Sequence, residues 1–416
     1  MQSFFVKGGR AAGEVTVQGA KNSSLPVLAA TLLCKGETIL HKCPGLLDTQ
    51  SAMQILEYLG CACGRSGSTV TVDSSDIKSC EVPDELMREM RSSIIFLGAI
   101  AARCGKCRLS YPGGCEIGQR PIDLHISSLS QMGMQIAENH GYLDCTVPKG
   151  FHGANIMLSF PSVGATENIM LAAVLAKGVT VITNAAREPE VIDLADYLKA
   201  CGANIAGAGE STITIAGVEK LYPCEYTIMP DRIVAATYLV AGAVTGGNVH
   251  VKGVDCRHLE AILPVFEAAG CTLHRYKNAV TLNASHRLSS IGLLRTMPYP
   301  GFPTDAQAPV MAMLSVAEGT SVFVENIFEN RFKHASQLRR MGAHIKLEGR
   351  VAVVEGVPSL HSAEVEATDL RGGAALVLAA MSAEGTSTIT NIHYIDRGYE
   401  KLEQQLTVLG VRIKRV

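Results

Sequence analysis

The chain has 416 residues, 47% of them hydrophobic and 18% charged, with a formal net charge of −2. That length suggests two or three domains, with ample apolar material for their cores. The balanced charge gives no overall basic excess for a nucleic-acid backbone, and 5% aromatic content leaves little for base stacking. Met1–Arg10 lacks the long apolar run of a secretory signal. No apolar stretch reaches the roughly 18 residues of a membrane span. A cytoplasmic location is therefore expected, with no membrane insertion and no nucleic-acid partner; protein partners are not specified by these features. The 13 cysteines are odd in number and sit in a chain with a large core, so most read as reduced thiols packed as small hydrophobes. Cys104 and Cys107 have CxxC spacing without a second pair, and Cys61 and Cys63 are too close together. No metal centre is expected.

In chain order, Phe4–Val17 reads as strand and has no repeat of its own. It is expected to pair with the C-terminal domain and close it. Beyond it, two glycine series recur six times. Gly36, Gly105, Gly178, Gly246, Gly319 and Gly385 each close an Ala/Leu-rich helix and precede a β-rich run, such as Val179–Ile182 or Asn248–Val251. Gly60, Gly133, Gly202, Gly270, Gly342 and Gly410 each close a second helix, at spacings of 68 to 73 residues. Four residues before these stand Leu56, Leu129, Leu198, Phe266, Leu338 and Leu406. One residue before stand Leu59, Met132, Cys201, Ala269, Met341 and Leu409, on the same helix face. Each unit thus reads helix, strand, helix and one or two strands, ending its helices in C-terminal glycine. Ile169–Ile182 contains Lys177 and reads as a buried helix running into a strand. The expected fold is α/β, with two domains of three repeats each and a boundary at Pro230. A doubly wound sheet without symmetry is the alternative, but it leaves the two parallel spacings unexplained.

The helix starts carry unusual charges. Asp there is expected, because it caps free N–H groups and suits the helix dipole. Lys21, Arg91, Arg120, Arg331, Arg371 and Arg397 also fall near predicted helix starts, where a cation is unfavourable unless an anion is bound or a local acid pairs with it. Arg397 could pair with Asp396 in that way. The segment Tyr111–Arg120 has three glycines around Cys115 and lacks the Gly-Lys-Ser/Thr of a phosphate-binding loop. It reads either as a lid carrying a reactive thiol or as an ordinary loop with a free cysteine.

Several motifs together resemble one family, the UDP-N-acetylglucosamine 1-carboxyvinyltransferases among the enolpyruvyl transferases. They are Gly19–Asn22, Pro112–Cys115, Arg120–His125, Ser162–Thr166, Ala186–Glu190, Phe302–Asp305, Glu329–Phe332, Ala367–Arg371 and Ile395–Glu400. They span essentially the whole chain in order. The resemblance implies an inside-out α/β barrel in each of two domains, built from six βαβαββ units, with the active site between the domains. It implies domains of residues 20–229 and of 1–19 with 230–416. It implies enolpyruvyl transfer from phosphoenolpyruvate to the 3-hydroxyl of UDP-N-acetylglucosamine, with Cys115 as acid and Asp305 as base. It further places Lys21, Asn22, Arg120, Arg331, Arg371 and Arg397 around phosphoenolpyruvate, with Lys21 and Arg397 also catalytic. Arg91, Arg120, Pro121, Ile122, Asp123, Leu124, Ser162, Val163, Gly164, Asp305 and Ile327 are implied to contact the nucleotide sugar. Phe160 departs from the pattern, since some members carry a basic residue there. The rival readings are transfer to shikimate 3-phosphate, an RNA-binding protein, and a catalytically silent relative.

Overall fold

The structure, a computed structural model, describes residues 2–111 and 122–416. Cys115, Arg120 and Pro121 lie outside the described residues, as does the side chain of Arg91. The chain divides into two compact units. One runs from Gly19 to Met229, and the other joins residues 2–18 to Pro230–Val416.

Each unit is built from three four-stranded mixed sheets on one plan. A central strand has a parallel neighbour on one side, and on the other an antiparallel strand that leads to an antiparallel edge. In the 19–229 unit the central strands are Glu37–His41, Lys106–Ser110 and Val179–Thr183. In the other unit they are Asn248–Lys252, Thr320–Val324 and Thr386–Thr390.

Both units close on themselves. Glu225–Thr227, after the third repeat, runs parallel to Glu37–His41 of the first. In the second unit Phe4–Lys7 sits between Thr386–Thr390 and Arg412–Arg415, antiparallel to both. Ala12–Thr16 continues from it and lies parallel to Asn248–Lys252. The N-terminal segment therefore completes the last sheet of that unit and opens its first.

The first helix of each repeat explains why the core is helical. Arg232–Val244 is buried at every position, and Val163–Ala173, Thr304–Leu314 and Leu370–Ser382 are buried at nearly all. A helix apolar on all sides belongs in the interior. The sheets bury alternate residues, as at Val249 and Val251 within Asn248–Lys252, so one face meets the helices and the other meets solvent. The segment Ile169–Ile182 divides as expected, into the end of helix Val163–Ala173 and strand Val179–Thr183.

The marker residues hold their places. All six at the Leu56 position and all six at the Leu59 position are buried. Both glycine series adopt positive φ throughout, from +63° at Gly246 to +128° at Gly36, which L side chains rarely adopt. Helix starts differ from expectation at three places. Arg91 opens a 3-10 turn, Arg91–Ile95, ahead of helix Phe96–Cys104. Helix His334–Arg340 begins after Arg331, not at it. Arg397 follows the short helix His393–Asp396, and Lys401 at φ +48° interrupts the chain before helix Leu402–Val408 begins. Arg397 thus lies at a helix end that favours a cation, not at a start.

Candidate active site

In the unit that contains Pro230–Val416, the structure brings Asp305, Arg331 and Arg371 together. Asp305 lies in the first turn of Thr304–Leu314. Its Oδ1 accepts from Arg331 Nη2 at 2.8 Å and its Oδ2 from Arg371 Nη2 at 3.0 Å. The two arginine side chains are only 3% and 2% exposed, against 26% for Asp305, so the carboxylate is the accessible member of the cluster.

Asp369 supports both arginines. It caps helix Leu370–Ser382 by accepting from the backbone N–H groups of Arg371 and Gly372, and its Oδ1 lies 3.9 Å from Arg331 Nη1. Burial works against the Arg371 charge, but Asp305, Tyr399 and Asp231 outweigh it, and its pKa is raised. Nε and Nη1 of Arg371 and Nε of Arg331 have no hydrogen-bond partner among the described residues. Buried guanidinium N–H groups without partners are costly, and they are suited to an incoming anion.

Two other expected residues belong to this unit. Ile327 is half-buried, and its backbone N–H donates to Glu325 Oε1 at 2.8 Å. Arg397 is half-buried. Its expected local partner, Asp396, is instead held by Arg415 at 2.6 and 2.9 Å.

In the 19–229 unit, Lys21 opens helix Lys21–Ala30 and Asp48 lies in the first turn of Leu47–Leu59. Lys21 Nζ and Asp48 Oδ2 are 2.8 Å apart, with Asp48 almost fully buried. Lys21, Arg331 and Arg371 thus all have acidic partners, as the local-pairing alternative required, though those partners come from other segments. Asn22 is exposed beside Lys21, and Ser23 is bonded to Asp193, which also holds Tyr226 and the backbone of Met229.

A second group forms around the starts of two helices. Asp123 and Leu124 open Asp123–Gln131, directly after the buried Ile122. Ser162 caps Val163–Ala173, accepting from Ala165 N at 3.3 Å. A Cβ on Gly164 would stand 3.1 Å from the His125 ring, so the two helix starts are in contact. Phe160 is exposed just before this turn, and its carbonyl accepts from Ser162 N. Deeper in the same helix, burial and then the charges of Glu190 and Glu188 push the Glu167 carboxyl well above the usual range.

A cavity of about 670 Å³ elsewhere in this unit is lined by Lys35, Lys78, Arg103 and Lys106 among others, and by none of the expected site residues. Arg103, in the last turn of helix Phe96–Cys104, donates there to the carbonyls of Ser74 and Ser75, just after strand Thr69–Asp73. Among the described residues no helix is long and apolar enough to cross a membrane, and no group of three or more metal-ligating side chains occurs.

Asp48, Asp369, Asn168 and His125 were not among the site residues expected from the sequence. Asp369 could have been recognised from its capping position two residues before Arg371. Asn168 gives no such signal, since its partners are distant in sequence.

Comparison with known proteins places these features in context. Residues 6–406 match the family model of EPSP synthase (3-phosphoshikimate 1-carboxyvinyltransferase). The chain is 51% identical to UDP-N-acetylglucosamine 1-carboxyvinyltransferase 2 of Caldanaerobacter subterraneus subsp. tengcongensis, over the whole of both chains. It is also 51% identical to UDP-N-acetylglucosamine 1-carboxyvinyltransferase 1 of Symbiobacterium thermophilum, covering 100% of this chain and 95% of that one. Among solved structures, an enolpyruvyl transferase of Streptomyces tendae matches with a TM-score of 0.90 at 26% identity, covering 100% and 99% of the two chains. An EPSP synthase of Acinetobacter baumannii matches over the full length of both chains with a TM-score of 0.78 at 20% identity, a likeness of fold alone.

Proposed function

The chain belongs to the EPSP synthase family, among its UDP-N-acetylglucosamine 1-carboxyvinyltransferases, and on that premise we propose that it transfers the enolpyruvyl group of phosphoenolpyruvate to the 3-hydroxyl of UDP-N-acetylglucosamine. Phosphate is released, and the product enters peptidoglycan precursor synthesis in the cytoplasm. The observation that carries this reading is the 51% identity, over full length, to proteins bearing that name.

The reaction is an addition followed by an elimination. The sugar hydroxyl loses its proton and attacks C2 of phosphoenolpyruvate while C3 gains a proton, and the tetrahedral intermediate then gives up a C3 proton and expels phosphate from C2, which restores the double bond. An acid and a base must act on opposite partners. Cys115 is the proposed acid, delivering its proton to C3. Asp305 is the proposed base, or orienting acceptor, at the hydroxyl. Its carboxylate is oriented by Arg331 and Arg371, whose remaining N–H groups would bind the carboxylate of phosphoenolpyruvate. Lys21, Arg120 and Arg397 are assigned to its phosphate, with Asn22 shaping the site beside Lys21. Arg91, the segment from Arg120 through Pro121, Ile122 and Asp123 to Leu124, the turn Ser162, Val163 and Gly164, and Ile327 are assigned to the nucleotide sugar. At Phe160 the nucleotide would meet an aromatic ring in place of a charge. The addition–elimination needs no metal or organic cofactor.

The test is phosphate release from phosphoenolpyruvate with UDP-N-acetylglucosamine, run beside shikimate 3-phosphate. Release only with the nucleotide sugar, and a product heavier by one enolpyruvyl group, is expected. Release only with shikimate 3-phosphate would overturn the acceptor and keep the donor; release with neither would favour a silent relative.

A further inference from the structure

Asn168 lies in the middle of helix Val163–Ala173 and is wholly buried. A buried primary amide must find partners for its carbonyl and both N–H groups. Asn168 finds them on two other segments and a neighbouring helix. Its Nδ2 donates to the Ile94 carbonyl at 2.9 Å and to His125 Nδ1 at 2.8 Å. Its Oδ1 accepts from the backbone N–H of Gly98 at 2.8 Å.

These contacts fix both side chains. Reversing the amide would set oxygen against the Ile94 carbonyl and NH2 against the Gly98 N–H, so only one orientation works. Because His125 Nδ1 accepts, the neutral ring carries its proton on Nε2. That edge faces the first turn of Asn168's own helix, where a Cβ on Gly164 would stand 3.1 Å from Cε1 and 3.4 Å from Nε2. Gly98 is pressed more closely still, since a Cβ there would lie 2.4 Å from the backbone carbonyl oxygen of Asn168. Two glycines thus make room for the network.

The tied segments are the 3-10 turn Arg91–Ile95, the helix start at Asp123 and Leu124, and the turn at Ser162, Val163 and Gly164. They are the parts of this unit assigned above to the nucleotide sugar. None of the three hydrogen bonds of Asn168 goes to Lys21 or Asn22, which are assigned to phosphoenolpyruvate. We infer that Asn168 and His125 are a positioning pair that sets the geometry of the nucleotide-sugar subsite, and so the affinity for the acceptor, without touching substrate. The inference rests on the acceptor reading proposed above.

Asn168→Asp tests it. The carboxylate keeps an acceptor for Gly98 and loses both donors. It also places a negative charge beside His125 Nδ1, favouring the imidazolium. In the unaltered protein the ring stays neutral across the working range, since burial pushes His125 down to about 4 against the pull of Asp123 on its own helix. From the neighbouring helix the Asn168 amide and Gly164 face it.

At pH 7 the KM for UDP-N-acetylglucosamine should rise about tenfold or more, the consequence of losing one or two buried hydrogen bonds. The KM for phosphoenolpyruvate should rise clearly less, because of the groups assigned to it only Arg120 adjoins a helix start that the network ties. The acceptor KM of Asn168→Asp should also vary with pH between about 6 and 8, where a raised histidine titrates; that of the unaltered protein should show no such step. His125→Gln, which keeps an acceptor, should retain more acceptor affinity than His125→Leu, and it carries the test if Asn168→Asp does not fold. Equal rises in both KM values, or a fall in kcat with neither KM changed, in variants that unfold at the original temperature, would overturn the inference. An unaltered protein that turns over only shikimate 3-phosphate, or does not bind UDP-N-acetylglucosamine by calorimetry, would overturn the acceptor reading and this inference with it.

Discussion

Asp305 stands against two guanidinium groups with almost no access to water. Taking the carboxylate away leaves both charges buried and poorly compensated, and breaking a buried pair this way costs about 3–5 kcal/mol. Asp305→Ala should therefore lose about 3 kcal/mol of unfolding free energy in urea titration, within that range. Asp305→Asn keeps one oxygen acceptor and should lose less. Both should lose turnover by about 10²-fold or more, the usual contribution of a positioned base. An Asn variant with full activity in the phosphate-release assay would remove the proposed role of Asp305. The sequence made Arg331 and Arg371 conspicuous as cations near helix starts. It could not show that they share one carboxylate, because 26 and 66 residues separate them from Asp305 and no local pattern encodes such pairing. Arg397 was misjudged for a related reason. The Asp396–Arg397 pair looked like a helix start, but a left-handed Lys401 delays the helix and Arg415 takes the aspartate.

At the scale of the element, the repeat was legible because backbone geometry dictates residue type. A helix closed in the left-handed region selects glycine, so both series could be read without knowing any contact. Lys42, Asn184 and Asn391 occupy the same conformation after the central strands of three repeats, and there the varied residue types hid the position. Two glycines with different duties should respond differently to alanine. Gly270 has φ +92° and open space around it, so Gly270→Ala should cost about 1 kcal/mol of backbone strain. At Gly356 a Cβ would stand 1.6 Å from the Ala317 carbonyl oxygen, so Gly356→Ala must move backbone and should cost about 3 kcal/mol or more. Equal losses in thermal or urea unfolding would contradict this division.

His125 and His334 share a place in their repeats, four residues before Leu129 and Leu338. Both are buried, and burial pushes each down to about 4. For His334, Arg331 adds to that effect and Asp369 opposes it. A histidine whose folded pKa lies below its unfolded value leaves the unfolded chain binding more protons between the two, so stability falls as pH drops through that window. Glu167 works in the opposite sense, because its raised carboxyl keeps a proton that the unfolded chain releases. The test is therefore a difference between proteins. Between pH 7 and 5.5 the unaltered protein should lose about 1 kcal/mol more stability than His334→Gln, the amount one buried neutral histidine contributes. Parallel pH profiles would show that His334 takes up protons in the folded state.

For the molecule as a whole, the informative segment is the one with no repeat of its own. Phe4–Lys7 is an interior strand, and its removal would uncover Thr386–Thr390 on one side and Arg412–Arg415 on the other. Two strands would then expose unpaired backbone groups, which invite intermolecular pairing. The loss is also one of packing. Phe4 and Val6 are fully buried, and the Arg415 guanidinium lies 4.9 Å from the centroid of the Phe4 ring. Burying one such apolar side chain contributes about 1.5–3 kcal/mol. Against a typical total of about 5–15 kcal/mol, deleting residues 1–10 should leave the unit that contains Pro230–Val416 marginal or unfolded. The 19–229 unit has its own closing strand in Glu225–Thr227 and its own core, so it should resist better. Hydrogen exchange on the truncated chain should show lost protection at 386–390 and 412–415, with protection retained at 163–173. Uniform loss across both units would mean that the two fold as a single cooperative body, and unchanged protection at 386–390 would mean that the strand contributes no pairing there.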